Sequence, residues 1–374
     1  MERLSDKVNS CWITLNRKCN FRCTWCYAQG EDYSDEKNMN FDDAVKAVDL
    51  AFDLGIRNIS LIGGEPTLWN GLGKIIPYAS KKSIKIGLIT NGLVFASKTY
   101  LLKLIKAGLS SINLSIKGGN AEEYENNTGR DSYNDIKSAV KNIIETKIPH
   151  VLSYVLTNNN IDGFVNDMEQ FKRLGTNNFY FSFCNSGDDK INANPLELVR
   201  GFETQYDNLE SKGFNFVLHQ SLPNCLWDST ILQKMNKNKR LKTVCQLHSK
   251  SGLVFGTKLE LYYCNMLYQH PYGQHGIDYN NAKELVKFLN DNKVKNSYKE
   301  LLKTPFNKCV ECADFKDCGG GCVLQWKQIY NIAQLKKVML PFINVCMRGY
   351  GKTPKIAMHN CDCDDCGAAC DCWN

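Results

Sequence analysis

The sequence predicts an α/β fold: an incomplete barrel of six βα units followed by a small cysteine-rich domain. Two observations predict it. Short apolar and β-branched runs alternate with amphipathic stretches from Cys11 to about Phe183, the pattern of a parallel sheet with crossover helices. The cysteines are also grouped rather than scattered, at 19–26, 309–322 and 361–372. The expected strands are CWITLN (11–16), NISLI (58–62), IKIGLI (84–89), SINLSI (111–116), VLSYVL (151–156) and NFYFSF (178–183). Between the first two lies FDDAVKAVDLAFDLG (41–55), where Ala44, Val45, Val48, Leu50 and Phe52 follow a helical period and Gly55 supplies a C-terminal stop. Six such units leave a barrel open on one side, and in folds of this kind the chemistry collects at the C-terminal ends of the strands.

The 374 residues allow one large domain and a smaller one. The barrel is expected over 1–185, a bridging region with a further strand, FNFVLH (214–219), over 186–244, and a cysteine-dominated domain over 245–350. Regular patterns in that last domain are short, so metal rather than a large apolar core is expected to hold it. Residues 351–374 have neither helical nor strand period and read as an extended appendage. No apolar run reaches the roughly 18 residues of a membrane span, and the first ten residues lack a secretory signal, so a cytoplasmic protein is expected. The net charge of +7 is spread over many lysines, a solvated face rather than a nucleic-acid surface. Neither a membrane nor a nucleic acid is an expected partner. Eighteen cysteines in such a chain are thiols or metal ligands, because the cytosol keeps disulfides reduced. Cys11 and Cys184 lie inside strand patterns and read as small buried residues.

The first cysteine group, Cys19-x3-Cys23-x2-Cys26 followed by Tyr27, comes directly after the first strand. Three thiolates can wrap one face of a 4Fe-4S cluster and leave one iron open to substrate. A structural zinc, or a cluster completed by a remote cysteine, would use the same three residues. Further short motifs close the following strands: Gly63, Gly64 and Glu65 in GGEP, Asn91 in TNG, and Ser115 in NLSIKGG.

Together these residues resemble the radical SAM superfamily, which carries C-x3-C-x2-C after its first strand and GGE after its second. The resemblance covers about residues 11–185. It implies S-adenosylmethionine (SAM) chelated at the open iron and reductively cleaved to a 5′-deoxyadenosyl radical that abstracts hydrogen from substrate. It further implies that Cys19, Cys23 and Cys26 are the catalytic ligands and that Gly63, Gly64 and Glu65 hold the SAM amino group. Asn91 joins these as a cofactor-binding position, Ser115 meets the carboxylate or ribose, Arg130 is a further candidate for the carboxylate, and Tyr27 lies near the adenine. The family often has Asp where this chain has Lys117.

The second group, Cys309-x2-Cys312-x5-Cys318-x3-Cys322, is preceded by Cys245 and Cys264 and followed by Cys346. Seven thiols approach the eight that two 4Fe-4S clusters need, and a pair of zinc knuckles would overlap at C-x2-C. The run resembles the SPASM domain of radical SAM peptide and protein maturases. That resemblance implies two auxiliary 4Fe-4S clusters, one on Cys309, Cys312, Cys318 and Cys346, the other on Cys245, Cys264 and Cys322. The second set is one ligand short: Ser251 stands where some relatives have cysteine, Leu259 stands where a glycine is usual, and Cys225 or an open iron would complete the set.

The tail, CDCDDCGAACDCWN, holds Cys361, Cys363, Cys366, Cys370 and Cys372 and reads as a metal-binding appendage, a spectator, or a segment like a peptide substrate. The last fits best with SPASM maturases that join cysteine sulfur to carbon in ribosomal peptides. The first strand begins at residue 11, which leaves no room for a leader-binding module, and a tethered substrate would need none. The expected activity is therefore thioether formation in a cysteine-rich peptide, in trans or the tail itself, with an electron donor such as ferredoxin or flavodoxin. Formylglycine formation in sulfatases, epimerisation and carbon–carbon crosslinking would use the same clusters, and a non-enzymatic iron-sulfur or metal carrier would explain the cysteines alone.

Overall fold

The computed structural model describes residues 8–28, 37–184, 195–219, 221–242, 245–302, 309 and 311–322. Cys346 and the tail cysteines lie outside the described residues. The six expected strands form as β1 (Ser10–Thr14), β2 (Asn58–Ile62), β3 (Lys85–Thr90), β4 (Leu109–Ile116), β5 (His150–Leu156) and β6 (Phe179–Phe183). Each pairs in parallel with the next, and the row continues in parallel through β7 (Phe216–His219) and β8 (Leu241–Lys242).

On the other side β1 pairs in parallel with β9 (Gly252–Phe255), to which β10 (Glu260–Tyr262) and β11 (Gly273–Gln274) add antiparallel. Among the described residues the result is one sheet of eleven strands, extending on both sides of the boundary expected at residue 245. Leu253, Phe255, Leu259 and Leu261 are buried in the same apolar core as the barrel strands, so this stretch is held by apolar burial as well as by any metal. The sequence shows little of this because β10 and β11 are too short to display a period.

Helices fill the crossovers, and their ends follow local chemistry. In α1 (Phe41–Asp53) the Asn40 side chain accepts from the Asp43 amide at 2.7 Å, two acids occupy the first turn, and Gly55 turns the chain at φ +83°. Ala44, Ala47, Val48, Leu50 and Ala51 are its buried residues, while Val45 and Phe52 pack half-buried at the edge of the core.

The strands alternate with period two. Leu114 and Ile116, Leu152, Tyr154 and Leu156, Phe181 and Phe183, and Phe216 and Leu218 are buried, whereas Ser115, Ser153, Val155, Ser182 and His219 between them are only partly covered. Register brings this second set side by side, Ser115 against Ser153, Val155 against Ser182, and Ser182 against His219. The inner face of the partial barrel is thus edged with small polar groups, most of them near the strands' C-terminal ends. Among the described residues no helix is long and apolar enough to cross a membrane.

The junction of β1 and β2 depends on two residues without side chains. Beyond its last paired residues, the Leu15 amide donates to Ile62 O at 2.8 Å, the Gly64 amide to Asn16 O at 2.9 Å and the Glu65 amide to Lys18 O at 2.7 Å. A Cβ on Gly63 would meet the Asn16 side chain and, at 2.7 Å, its carbonyl oxygen; one on Gly64 would run into the Arg17 and Lys18 carbonyls. Backbone cannot retreat as a flexible side chain can. Gly64→Ala is therefore expected to lower stability by about 2 kcal/mol or more, read as a lower midpoint in chemical denaturation, with weaker iron retention because residues 16–18 lead straight into Cys19.

Candidate active site

The cysteine loop after β1 is pinned along its length. The Arg22 amide donates to Thr128 O at 2.8 Å and the Thr24 amide to Asn127 O at 3.0 Å, so the loop rests on the end of α4 (Ala121–Thr128). Phe21 and Trp25 are buried beneath it, and a turn from the Cys26 amide to Cys23 O (3.0 Å) brings those two cysteines onto one bend.

Glu65 fastens the strand ends together. Its carboxylate is 1% exposed and accepts four hydrogen bonds: Oε1 from the Thr67 amide (3.1 Å), the Thr67 hydroxyl (2.6 Å) and the Thr90 hydroxyl (2.6 Å), and Oε2 from the Asn91 amide (2.8 Å). Burial pushes its pKa up and these four donors oppose that shift. Asn91 in turn donates to the Asn20 side chain at 2.7 Å, tying the TNG turn to the cysteine loop. Glu65, expected to accept from the amino group of SAM, accepts from these protein donors, with Oε2 taking one bond, and does not line the cavity described next. Gly63 and Gly64 are the members of the motif that face it.

That cavity, of about 390 Å³, opens at the C-terminal ends of the strands. Of the residues singled out in the sequence it is lined by Cys19, Cys23, Cys26, Tyr27, Gly63, Gly64, Asn91 and Ser115, and on its far side by Cys245, Cys264, Cys318 and Cys322. Arg130 is exposed and outside it, and neither Cys309, Cys312 nor Cys225 reaches it. Ser251 has its hydroxyl bonded to Ser249 at 2.8 Å and is likewise outside. Cys11 and Cys184 are buried, as their strand positions implied.

Sequence reasoning missed Trp25, Lys117, Ser182, His219, Ser221 and His248, all of which line the cavity. Ser182 and His219 were within reach, since each sits near the C-terminal end of a recognised strand; His248 and Ser221 are brought in by tertiary folding alone.

Two aromatic residues bridge the halves. The Arg17 guanidinium lies 4.8 Å from the Tyr268 ring centre, and Tyr27 and Tyr268 stand 6.0 Å apart. Burial pushes the Tyr27 hydroxyl up to about 12, against the nearby Arg17. Burial also pushes the Cys19 thiol up to about 12, with Glu65, Cys23 and Cys26 adding to it, and raises Cys23 against the pull of Lys117, whose ammonium lies 5.7 Å from the Trp25 ring centre.

Cys264 is likewise pushed up to about 12 by burial, with Cys322 and Cys245 as its charged neighbours, while Cys318 is raised by burial and has Cys312 beside it. Cys245, Cys264, Cys318 and Cys322 all line the one cavity. Among the described residues no three His, Cys, Asp or Glu side chains stand close enough to hold a metal ion as they are placed.

Residues 13–171 match the family model of the radical SAM superfamily. The chain carries a radical SAM domain and is an enzyme. The probable GTP 3′,8-cyclase of Saccharolobus islandicus is 29% identical over 182 residues, 48% of this chain and 58% of that protein. That of Methanococcus maripaludis is 31% identical over 145 residues, 38% and 48%. The chain thus spans about half the length of the curated relatives it matches.

Among solved structures, native anSMEcpe with bound AdoMet has a TM-score of 0.65 at 18% identity, covering 90% of this chain and 99% of that one. Streptococcus suis SuiB bound to precursor peptide SuiA has a TM-score of 0.65 at 15% identity, covering 85% and 73%. These likenesses show the fold. The radical SAM domain implies SAM and a 4Fe-4S cluster, and the site fits both: three thiols on one loop, a floor of two glycines that leaves backbone exposed, and an apolar wall of Phe21, Trp25 and Ile62.

Two outcomes follow from this geometry. Glu65→Ala strands four donors and should cost on the order of 3 kcal/mol, seen as a lower denaturation midpoint, whereas a role confined to SAM binding would leave the midpoint unchanged. Because burial keeps Cys19 and Cys23 protonated, cluster assembly must release their protons. Iron loading should therefore improve as pH rises from 6 toward 9, and in the metal-free protein Cys19 should be alkylated by iodoacetamide far more slowly than a free peptide cysteine, as peptide mapping would show.

Proposed function

We propose that the protein is a radical SAM peptide maturase of the SPASM kind that joins cysteine sulfur to carbon in a cysteine-rich peptide. The observation that carries this reading is the shared cavity, where the first cysteine group faces Cys245, Cys264 and Cys322 across a space open to a ligand. Cys19, Cys23 and Cys26 would hold the SAM-binding cluster. Cys245, Cys264 and Cys322 would hold one auxiliary cluster, and Cys309, Cys312, Cys318 and Cys346 the other. Cys225 and Ser251 do not line the cavity, which supports leaving the fourth position on the set of Cys245, Cys264 and Cys322 to a substrate thiolate rather than to Cys225. When bound and reduced, the SAM-binding centre supplies a deoxyadenosyl radical that removes hydrogen from carbon.

The chain's own residues do the positioning. Gly63 and Gly64 expose backbone to the SAM amino group, Ser115 and Asn91 supply polar contacts, and Tyr27 sits on the adenine side. Phe21, Trp25 and Ile62 keep water from the reacting atoms.

Two proteins of like fold, anSMEcpe and SuiB, are seen with bound peptides, which favours a peptide here. Among the described residues lining the cavity Lys117 is the single lysine or arginine, a poor match for the triphosphate of GTP. The electron that starts the reaction would come from a ferredoxin or flavodoxin.

Anaerobic protein given SAM and dithionite should form 5′-deoxyadenosine, and Cys23→Ala should abolish it while auxiliary iron is kept. On turnover the C-terminal tryptic peptide carrying Cys361 to Cys372, or a cysteine-rich peptide supplied in trans, should lose a pair of hydrogens for each thioether. Persistent deoxyadenosine in Cys23→Ala would defeat the assignment of the cluster, and peptides of unchanged mass after many turnovers would defeat the thioether chemistry.

A further inference from the structure

The inner end of β7 carries a group that nothing above employs. His219 occupies one of the partly covered positions of the period-two pattern, paired in register with Ser182 on β6 and Lys242 on β8, and it lines the cavity. Its Nδ1 lies 2.6 Å from the Tyr180 hydroxyl, with the two rings edge to face at 6.0 Å between centroids. Tyr180 projects from the same face of β6 as Ser182, two residues on, and the Cys245 thiol is close enough to act on its hydroxyl. One ring nitrogen is therefore held by the protein, and Nε2 has no hydrogen-bond partner among the described residues.

From this juxtaposition we infer that His219, oriented by Tyr180, accepts the proton of a substrate cysteine thiol bound beside Cys245. The inference rests on the thioether reading above and deepens it. In that reaction the C–H bond breaks and its hydrogen atom goes to the SAM-derived radical. The S–H bond breaks and its proton goes to Nε2 of His219. Sulfur would then bond to the carbon radical, and the one electron left over would go to an oxidised iron-sulfur centre, which Cys245, Cys264 and Cys322 would hold.

The arrangement suits that task. Burial, together with Lys242, holds His219 down to about 4, so the ring rests neutral and able to accept. The groups that face it are Tyr180 from β6, Lys242 from β8 and, across the cavity, Lys117, Cys245 and His248. A thiolate formed next to the ring would stabilise the imidazolium, so the proton would move only when sulfur is in place, and iron held by Cys245, Cys264 and Cys322 would acidify that thiol. Tyr180 can donate to the neutral ring or accept from the charged one, and supports both states.

The test uses the full chain with its clusters reconstituted and measures deoxyadenosine together with thioether formation in the C-terminal tryptic peptide and in supplied cysteine peptides. In His219→Gln the ratio of deoxyadenosine to thioether should rise about 10²-fold, as expected for loss of a proton acceptor, and added imidazole should bring it partway back. In Tyr180→Phe the ratio should rise less. A wild-type ratio in His219→Gln, or a rise that imidazole leaves untouched, overturns the inference.

If wild-type protein makes deoxyadenosine but no thioether, the underlying reading fails, and a measurement without turnover judges His219 separately. In the full chain with Cys361, Cys363, Cys366, Cys370 and Cys372 replaced by serine, diethyl pyrocarbonate should modify His219. The synthetic peptide CDCDDCGAACDCWN should protect it, and the same peptide with serine for every cysteine should not. Equal protection by both peptides, or by neither, overturns the inference.

Discussion

The structure turns on the close approach of two strand ends. Where β1 and β2 run on past their paired residues, the backbone of 16–18 lies against that of 63–65 with no side chain between them, and three amide hydrogen bonds close the gap. Everything functional is hung from this seam. The first cysteine follows directly from one side of it, the glycine floor of the cavity is the other side, and the buried carboxylate of Glu65 extends it to Thr90 and Asn91 at the end of the third strand. A buried carboxylate is costly unless its oxygens are satisfied, and here four donors, two from Thr67 and one each from Thr90 and Asn91, satisfy it. The GGE, TNG and cysteine motifs are thus parts of one hydrogen-bonded unit.

A second constraint comes from the sheet. Because β9 pairs with the outer edge of β1, the segment carrying Cys245 and Cys264 is drawn alongside the strand that leads to Cys19. The return of residues 318–322 completes the far wall: the Cys322 amide donates to Ser221 O at 2.7 Å and the Asn224 amide to the Cys318 sulfur at 3.3 Å. The bridging region, whose strands β7 and β8 extend the parallel row, is therefore part of the site, since it carries His219 and Ser221 and holds the second cysteine group in place. Arg17, Tyr27 and Tyr268 also join the two sides.

The cavity that results has an uneven character. Its lower wall, around Phe21, Trp25 and Ile62, is apolar, and there burial favours the neutral thiols of Cys19 and Cys23. Its upper wall, from Ser115 through Ser182 to His219, is polar because strand alternation turns one side chain in two inward.

Much of this was legible in the residues themselves. Hydrophobic alternation is a local property, so the six βα units, the helix over 41–55 and the buried state of Cys11 and Cys184 could be read directly, and short spacings such as C-x3-C-x2-C restrict three thiols to one loop wherever the chain goes next. The strands β8 to β11 were not legible, being too short to carry a period, and so neither was the way β9 seats the second cysteine group beside the first. The role of Glu65 was not legible either. Its charge and place in a motif suggested a ligand contact, but whether a carboxylate faces a cavity or the protein's own donors depends on where Thr67, Thr90 and Asn91 are brought, over as many as 26 residues of intervening chain. The same holds for the pairing of His219 with Tyr180 across two strands, and for the exposed position of Arg130 outside the cavity. Which residues can carry the chemistry is thus a matter of local pattern, and which of them meet is decided by long-range strand pairing, because that pairing alone sets the distance between groups far apart in the chain.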